Sequence, residues 1–260
     1  MLKIQEFMCA LEEFAPLALS RKRIEAGDYD NSGLLVDAKR DVQRVLFSLD
    51  LTAETAARAA KLKCDTVVTH HPAIYGPLSR ITAEDPVFFA IRHGLNVISM
   101  HLNLDYAPGG TDESLAQALG AESNGCRITE NEGGGYGREF AAGGRPFGEF
   151  AAAAVKAIKC RHFLSYGGKN DPVNVCASFA GAGGGALLKA LENGWLKADT
   201  VVTSDVPHHL ITKFIESGKK LLVISHYAAE NYGFERFFER VKAKVAGSAE
   251  TMFFTDKRFL

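Results

Sequence analysis

The chain has 260 residues, of which 47% are hydrophobic, 23% charged and 10% aromatic, with 30 basic against 31 acidic side chains and a net charge of −1. These fractions exclude a disordered chain, a collagen-like repeat and a disulfide-stapled miniprotein, and the balanced charge supplies no field to gather a polyanion, so nucleic acid is not an expected partner. Five cysteines (Cys9, Cys64, Cys126, Cys160 and Cys176) without a Cys-x-x-Cys pair argue against a disulfide framework or a thiolate zinc site and for a reducing, cytoplasmic setting.

The opening stretch lacks a basic segment followed by an apolar run, and no later stretch reaches about 18 apolar residues, so neither a leader nor a membrane span is expected. Ile4, Phe7, Met8, Leu11 and Phe14 recur at helical spacing and predict an amphipathic helix that ends near Pro16. The following DYDNSGLLV reads as a turn.

From about residue 42 strands and helices alternate: VQRVLFSLD, ETAARAAKL, DTVVT (65–69), PVFFAIRHG, LNVISM (95–100) and DESLAQALG. Alternation of this kind predicts an α/β fold with mainly parallel sheets covered by helices. The second part repeats the rhythm with PVNVCASFAG, GALLKALENG, DTVVT (199–203), HHLITKFIESG, LLVIS (221–225) and FERFFERVKAKV. The repetition extends to identity, since Leu62-Lys63-Cys64-Asp65-Thr66-Val67-Val68-Thr69 realigns with Leu196-Lys197-Ala198-Asp199-Thr200-Val201-Val202-Thr203. Two related α/β halves are therefore expected. Residues 1–125 form the first, the Gly-rich stretch 126–146 a linker, and 147–260 the second.

In open α/β sheets ligands bind where loops converge past the carboxyl ends of the strands. Six of the eight histidines fall there. His70 and His71 follow the first DTVVT, His101 and Asp105 follow LNVISM, Asp205, His208 and His209 follow the second DTVVT, and His226 and Glu230 follow LLVIS. Imidazole with carboxylate is the ligand set of zinc, iron, manganese or nickel. His226 and Glu230, four apart at a helix start, point the same way, whereas the adjacent His70 and His71 face opposite directions if strand geometry persists. Asp105 and Glu230 are the carboxylates available to bridge or cap a pair of cations.

Two other features compete. Gly181-Ala182-Gly183-Gly184-Gly185-Ala186 satisfies the glycine pattern of a dinucleotide loop, and the same run also reads as a tight turn. Cys64 and Cys176 lie in apolar runs and read as small core residues rather than nucleophiles.

Asp30-Asn31-Ser32-Gly33-Leu34-Leu35, Thr69-His70-His71-Pro72, His101 to Asp105 with Gly110 and Asp112, Thr203 to His209, and Ser225-His226-Tyr227 to Glu230 occur in one order across nearly the whole chain. In this the sequence resembles the NIF3-like proteins, the dinuclear metal centre family often labelled GTP cyclohydrolase I type 2 homologues. The resemblance implies two α/β halves with a two-metal site in the cleft between them, and commonly a hexameric ring. It implies that His71 and Asp105 hold one divalent metal, His70 and His226 the other, and that Glu230 bridges both. His101, His208 and His209 remain substrate-facing or supporting candidates, with His101 and His209 as proton shuttles. Thr203-Ser204-Asp205 and Ala229 depart from the residues usual in the family, which bears on hydrogen bonds that orient the ligands.

The function that follows is a metal-dependent hydrolase cleaving a C–N or phosphoester bond of a nucleotide-like small molecule, of the GTP cyclohydrolase or a related type. The alternative is a non-catalytic metal-binding assembly factor or regulator that forms a ring. A Gly-loop dinucleotide protein with structural histidines is the third reading.

Overall fold

The computed structural model describes residues 2–122, 125–131 and 134–260. The chain forms two compact units, one of Met1–Pro108 with Phe234–Asp256, the other of Gly109–Gly233 with Lys257–Leu260.

The first unit opens with α1 (Ile4–Glu12), which buries Phe7, Met8 and Leu11 as its spacing requires. Then come α2 (Leu17–Glu25), β1 (Gly33–Val36), β2 (Arg44–Ser48), α3 (Ala53–Lys61), β3 (Thr66–Thr69), α4 (Pro86–Arg92), β4 (Asn96–Ser99) and the short α5 (Leu102–Tyr106). Side-chain caps fix two of these helix starts: the Thr52 hydroxyl accepts the Thr55 N–H, and Asp85 accepts the Val87 N–H with Pro86 in the first turn, where a proline loses no hydrogen bond.

The second unit holds α6 (Thr111–Ala118), β5 (Cys126–Asn131), β6 (Gly134–Pro146), α7 (Phe147–Ala157), β7 (Leu164–Tyr166), β8 (Pro172–Ser178), α8 (Gly184–Glu192), β9 (Thr200–Thr203), α9 (His208–Glu216) and β10 (Lys220–Val223). Helix α10 (His226–Lys244) contributes its residues through Gly233 to the second unit and those from Phe234 to the first. β11 (Glu250–Phe254) completes the first.

The first sheet runs β1-β4-β3-β2-β11, with β4, β3, β2 and β11 parallel and β1 antiparallel at one edge. The second runs β5-β6-β8-β9-β10-β7. Its inner β8, β9 and β10 are parallel, while β6 and β7 flank them antiparallel. The parallel order expected from the sequence thus holds for the strands that carry the repeat. β3 and β9 lie centrally, and all four residues of each are buried, as strands covered on both faces must be. Each buried valine there stabilises by about 1.5–3 kcal/mol.

The halves divide differently from the expected boundaries. Residues 126–146 are not a linker: outside Glu132 and Gly133, which with Met1, Ser123 and Asn124 lie beyond the described residues, they form β5 and β6. The glycines that suggested a linker bend a strand instead. A side chain on Gly137 would strike the Phe179 ring at 2.4 Å, and Gly143 and Gly144 have φ of +73° and +72° where the β6–β8 register shifts between Ala141 and Arg145, as in a bulge. The expected turn at 28–36 likewise ends in β1. No helix among the described residues is long and apolar enough to cross a membrane.

Candidate metal centre

In the first unit, the histidines beyond β3 and β4 converge. The backbone N–H groups of His70 and His71 both donate to the Leu49 carbonyl, at 3.1 and 3.0 Å, so the chain turns as soon as β3 ends. The two rings therefore do not face opposite ways. Their centroids lie 5.0 Å apart, and His101 stands 5.3 and 5.7 Å from them. Ring nitrogens of His70, His71 and His101 lie within 4.8 Å of one another, close enough to share a metal. Asp105, buried on α5, places Oδ1 3.5 Å from His70 Nε2.

Each ring is held by its other nitrogen. His70 Nδ1 donates to the Met100 carbonyl at 2.7 Å, His71 Nδ1 to Asp50 Oδ1 at 2.7 Å, and His101 Nδ1 to Asp30 Oδ1 at 2.7 Å. An Nδ1–H donated to a carbonyl or carboxylate fixes the tautomer and leaves Nε2 as the lone-pair donor, as is usual for metal-binding histidines. Asp30 is itself fixed by the hydroxyls of Ser20 and Ser32, and Ser32 also accepts the His101 N–H at 3.1 Å. Burial works to raise the Asp30 carboxyl, but the hydrogen bonds from His101, Ser20 and Ser32 outweigh it and hold the group at about 2. It stays an anion.

In the second unit, His226 and Glu230 occupy the first two turns of α10 with Nε2 2.9 Å from Oε2, the convergence that i, i+4 spacing predicts. His226 Nδ1 donates to Asp205, whose backbone takes the left-handed φ of +51°. Gly181 sits against the pair with φ +64°, and a Cβ there would lie 2.1 Å from Glu230 Oε1 and 3.3 Å from His226 Nε2. Only a glycine leaves that carboxylate its place. The Gly181 carbonyl accepts the Ser204 N–H at 3.2 Å, and a Cβ on Gly183 would meet Phe179 at 2.3 Å. Close packing thus explains two glycines of the run, Gly181 against the acid–histidine pair and Gly183 against Phe179, in the tight turn of the two sequence readings.

Beneath that turn Asp112 Oδ1 accepts the Ala180 N–H at 3.2 Å and Oδ2 meets Arg138 Nη1 at 3.1 Å. Arg138 is fully buried, with Glu113 3.6 Å from its other terminal nitrogen. Asp112 therefore anchors the β8 turn through a buried ion pair.

Sequence reasoning nominated His70, His71, His101, Asp105, His226 and Glu230, and each lies in one of these two groups. His208 and His209 do not: they open α9, exposed, and join no set of donor atoms close enough to share a metal among the described residues. Pro207 starts a new helix there and turns them outward. Missed were Asp50 and the orienting role of Asp30. Its place as the last residue of a predicted strand was the only signal for Asp50, and Asp30 was quoted for its motif alone. Arg138 fell inside the supposed linker. Cys64 and Cys176 are buried, and desolvation pushes the Cys64 thiol up to about 11 and Cys176 further, so both are inert packing residues.

The donor chemistry fits a divalent transition metal: imidazole Nε2 atoms and carboxylates, with orienting partners already in place. The sequence matches the Duf34/NIF3 (NGG1p interacting factor 3) family model over residues 2–258. It is 24% identical over 257 residues to a Clostridium perfringens protein named GTP cyclohydrolase 1 type 2 homolog, covering 96% of this chain and 95% of that one. It is 26% identical to Drosophila melanogaster NIF3-like protein 1, covering 93% and 82%. Among solved structures, the Staphylococcus aureus hypothetical protein SA1388 superposes with a TM-score of 0.83 at 23% identity, covering 97% of this chain and 96% of that one. Reduced HcgD from Methanocaldococcus jannaschii superposes with a TM-score of 0.80 at 24% identity and 97% coverage of both.

Proposed function

Since the chain belongs to the Duf34/NIF3 family, we propose that it is a metal-dependent hydrolase acting on a C–N or phosphoester bond of a nucleotide-like small molecule. The observation that carries this reading is that His70, His71, His101 and His226 each have Nδ1 engaged by a carbonyl or carboxylate, which leaves Nε2 as the donor on each, with Asp105 near His70 in the first unit and Glu230 near His226 in the second. In the arrangement the resemblance implies, His71 and Asp105 would hold one divalent cation and His70 and His226 the other, with Glu230 a ligand of both. When bound, such a pair supplies Lewis acidity to a substrate oxygen and a hydroxide at neutral pH.

The chain's own residues do the rest. Asp50, Asp205 and the Met100 carbonyl orient the ligand imidazoles. His101, backed by the anionic Asp30, is positioned to take and return a proton at Nε2. Among the described residues no carboxylate orients the exposed His209, and in this reading His101 carries the proton transfer. The names of the curated relatives favour opening of a guanine-type ring. We place the protein in the cytoplasm as a hexameric ring, which sedimentation of the purified chain tests.

Metal analysis after anaerobic purification should find about two divalent ions per chain, iron, zinc, manganese or nickel according to supply. Glu230→Ala should lower occupancy at both positions, and His71→Ala should empty mainly one. A panel of nucleotides, cyclic amides and phosphoesters should reveal a turnover that falls with Glu230→Ala. Full metal content with no such turnover favours the non-catalytic assembly factor, and less than one metal per chain overturns both.

A further inference from the structure

Beside the first unit's histidines lies a surface that the metal reading leaves unused. Tyr29 and Tyr75 are 51% and 54% exposed, and their rings lie 4.9 Å apart, tilted by 57°. The Tyr75 ring meets His101 edge-on at 6.3 Å. Single exposed aromatics are ordinary, but an aromatic pair running on from a histidine cluster is not.

The pair is also held in place. Tyr75 Oη donates to the Tyr29 carbonyl at 3.4 Å, and Asn31 Nδ2 donates to the Ile74 carbonyl at 2.6 Å. The segment 30–32 thus serves both sides: Asp30 and Ser32 fix His101, while Asn31 fixes the loop that carries Tyr75. Ring faces and imidazole are set in one frame, so a ligand on the first is registered against the second.

We propose that Tyr75, buttressed by Tyr29, offers a stacking face for the planar nitrogen heterocycle of a small-molecule ligand, seated so that His101 faces its reacting edge. This rests on the hydrolase reading above and names the part of the substrate that the site recognises. A protein partner fits less well. Two half-exposed tyrosines offer roughly 200 Å², well short of the about 800 Å² per side of a stable protein interface. Because the rings are tilted by 57°, one planar heterocycle stacks on a single ring face, with the other tyrosine buttressing it, and base–aromatic stacking of that kind is sequence-tolerant and strong.

The test is calorimetric titration of the metal-replete protein with guanosine 5′-monophosphate and, separately, with ribose 5-phosphate, which lacks the ring. The nucleotide should bind more tightly. Tyr75→Leu should weaken it about tenfold or more, Tyr29→Leu should weaken it by less, and Tyr75→Phe should restore it. Ribose 5-phosphate affinity and metal content should change little in every variant. The platform is overturned if the two ligands bind alike, if the nucleotide fails to bind at millimolar concentration, if Tyr75→Leu binds it as the unaltered protein does, or if that variant changes the oligomeric state instead. Nucleotide binding lost in Tyr75→Leu without turnover of any substrate would sink the hydrolase reading and keep the platform. Turnover lost in Glu230→Ala but with unchanged KM in Tyr75→Leu would do the reverse.

Discussion

β3 and β9 have the same sequence, Thr-Val-Val-Thr, the same burial and the same place at the centre of their sheets. Even the contact just past them recurs: the Leu49 carbonyl after β2 accepts the N–H of His70, and the Gly181 carbonyl after β8 accepts that of Ser204. Beyond this point the two regions part. The first continues into His70-His71 and supplies donors directly. The second continues into Ser204-Asp205, where Asp205 only orients a histidine borne by α10. The repeat therefore preserves the scaffold that delivers a strand tip, while the chemistry at each tip is free to differ.

The sharpest way to break this comparison is at Gly181, the second unit's counterpart of Leu49. Gly181→Ala puts a side chain on a left-handed backbone, at about 1–2 kcal/mol, and its Cβ would sit 2.1 Å from Glu230 Oε1, forcing that carboxylate away. We expect a total loss of about 3 kcal/mol and metal depletion approaching that of Glu230→Ala, read by thermal unfolding and elemental analysis. Gly185→Ala, on α8 with nothing within 4 Å of its Cβ, is the control and should stabilise by about 0.5–1 kcal/mol. Equal behaviour of the two variants would show that the glycine run does not accommodate Glu230.

Next come the orienting acids. Asp50→Asn and Asp205→Asn each remove a carboxylate from the Nδ1 of one proposed ligand, a change that typically costs 10- to 100-fold in metal affinity. Asp205 is the more exposed, where water takes over part of its role, so Asp50→Asn should show the larger effect in a competitive chelator titration. The reverse order would mean that the second unit's tip governs the site.

How much of this was legible in the sequence follows from which forces are local. The repeat, the strand-end histidines and the His226–Glu230 pair were readable because hydrophobic periodicity and i, i+4 geometry depend on neighbours along the chain. β6 was not, because one of its glycines, Gly137, answers to Phe179, a residue distant in sequence. Asp50 and Arg138 were missed for the same reason: what each does is set by a partner that only folding brings near. His209 also sits next to a strand end, and Pro207 places it on an exposed helix.

Asp30 gives a pH test confined to the first unit. Its carboxyl is held at about 2, below the ordinary 3.8, so it stabilises the fold fully above about pH 4, and that contribution is lost as pH falls toward 2. The amount is about 2 kcal/mol. Urea unfolding between pH 2 and 6 should show Asp30→Asn destabilised near neutrality and its deficit shrinking with acid. A deficit independent of pH would assign the loss to packing around Ser20 and Ser32 instead.

The smallest effect bears most directly on the scaffold. Asp65 Oδ2 accepts the N–H groups of Gln43 and Arg44, both at 2.9 Å, and Oδ1 accepts the Thr66 hydroxyl. Asp199 Oδ2 accepts those of Asn174 and Val175, at 2.9 and 3.2 Å, and Oδ1 the Thr200 hydroxyl. One acid in each half thus ties the neighbouring strand to the repeated one, at the start of β2 and inside β8. Without it two backbone donors lose their acceptor, at about 1–3 kcal/mol where water cannot reach. Asp65 is buried, whereas Asp199 is partly exposed and shared with Lys220, so Asp65→Ala should cost about 2 kcal/mol and Asp199→Ala about 1 kcal/mol. Hydrogen exchange at Arg44 and Val175 reads each half separately, which matters in a chain of two units whose global unfolding need not be two-state. Accelerated exchange at the local amide alone, in both variants, is the outcome expected of duplicated scaffold with independent tips. Acceleration at both amides in either variant would mean that the halves unfold as one and that their comparison must be made at the level of the whole chain.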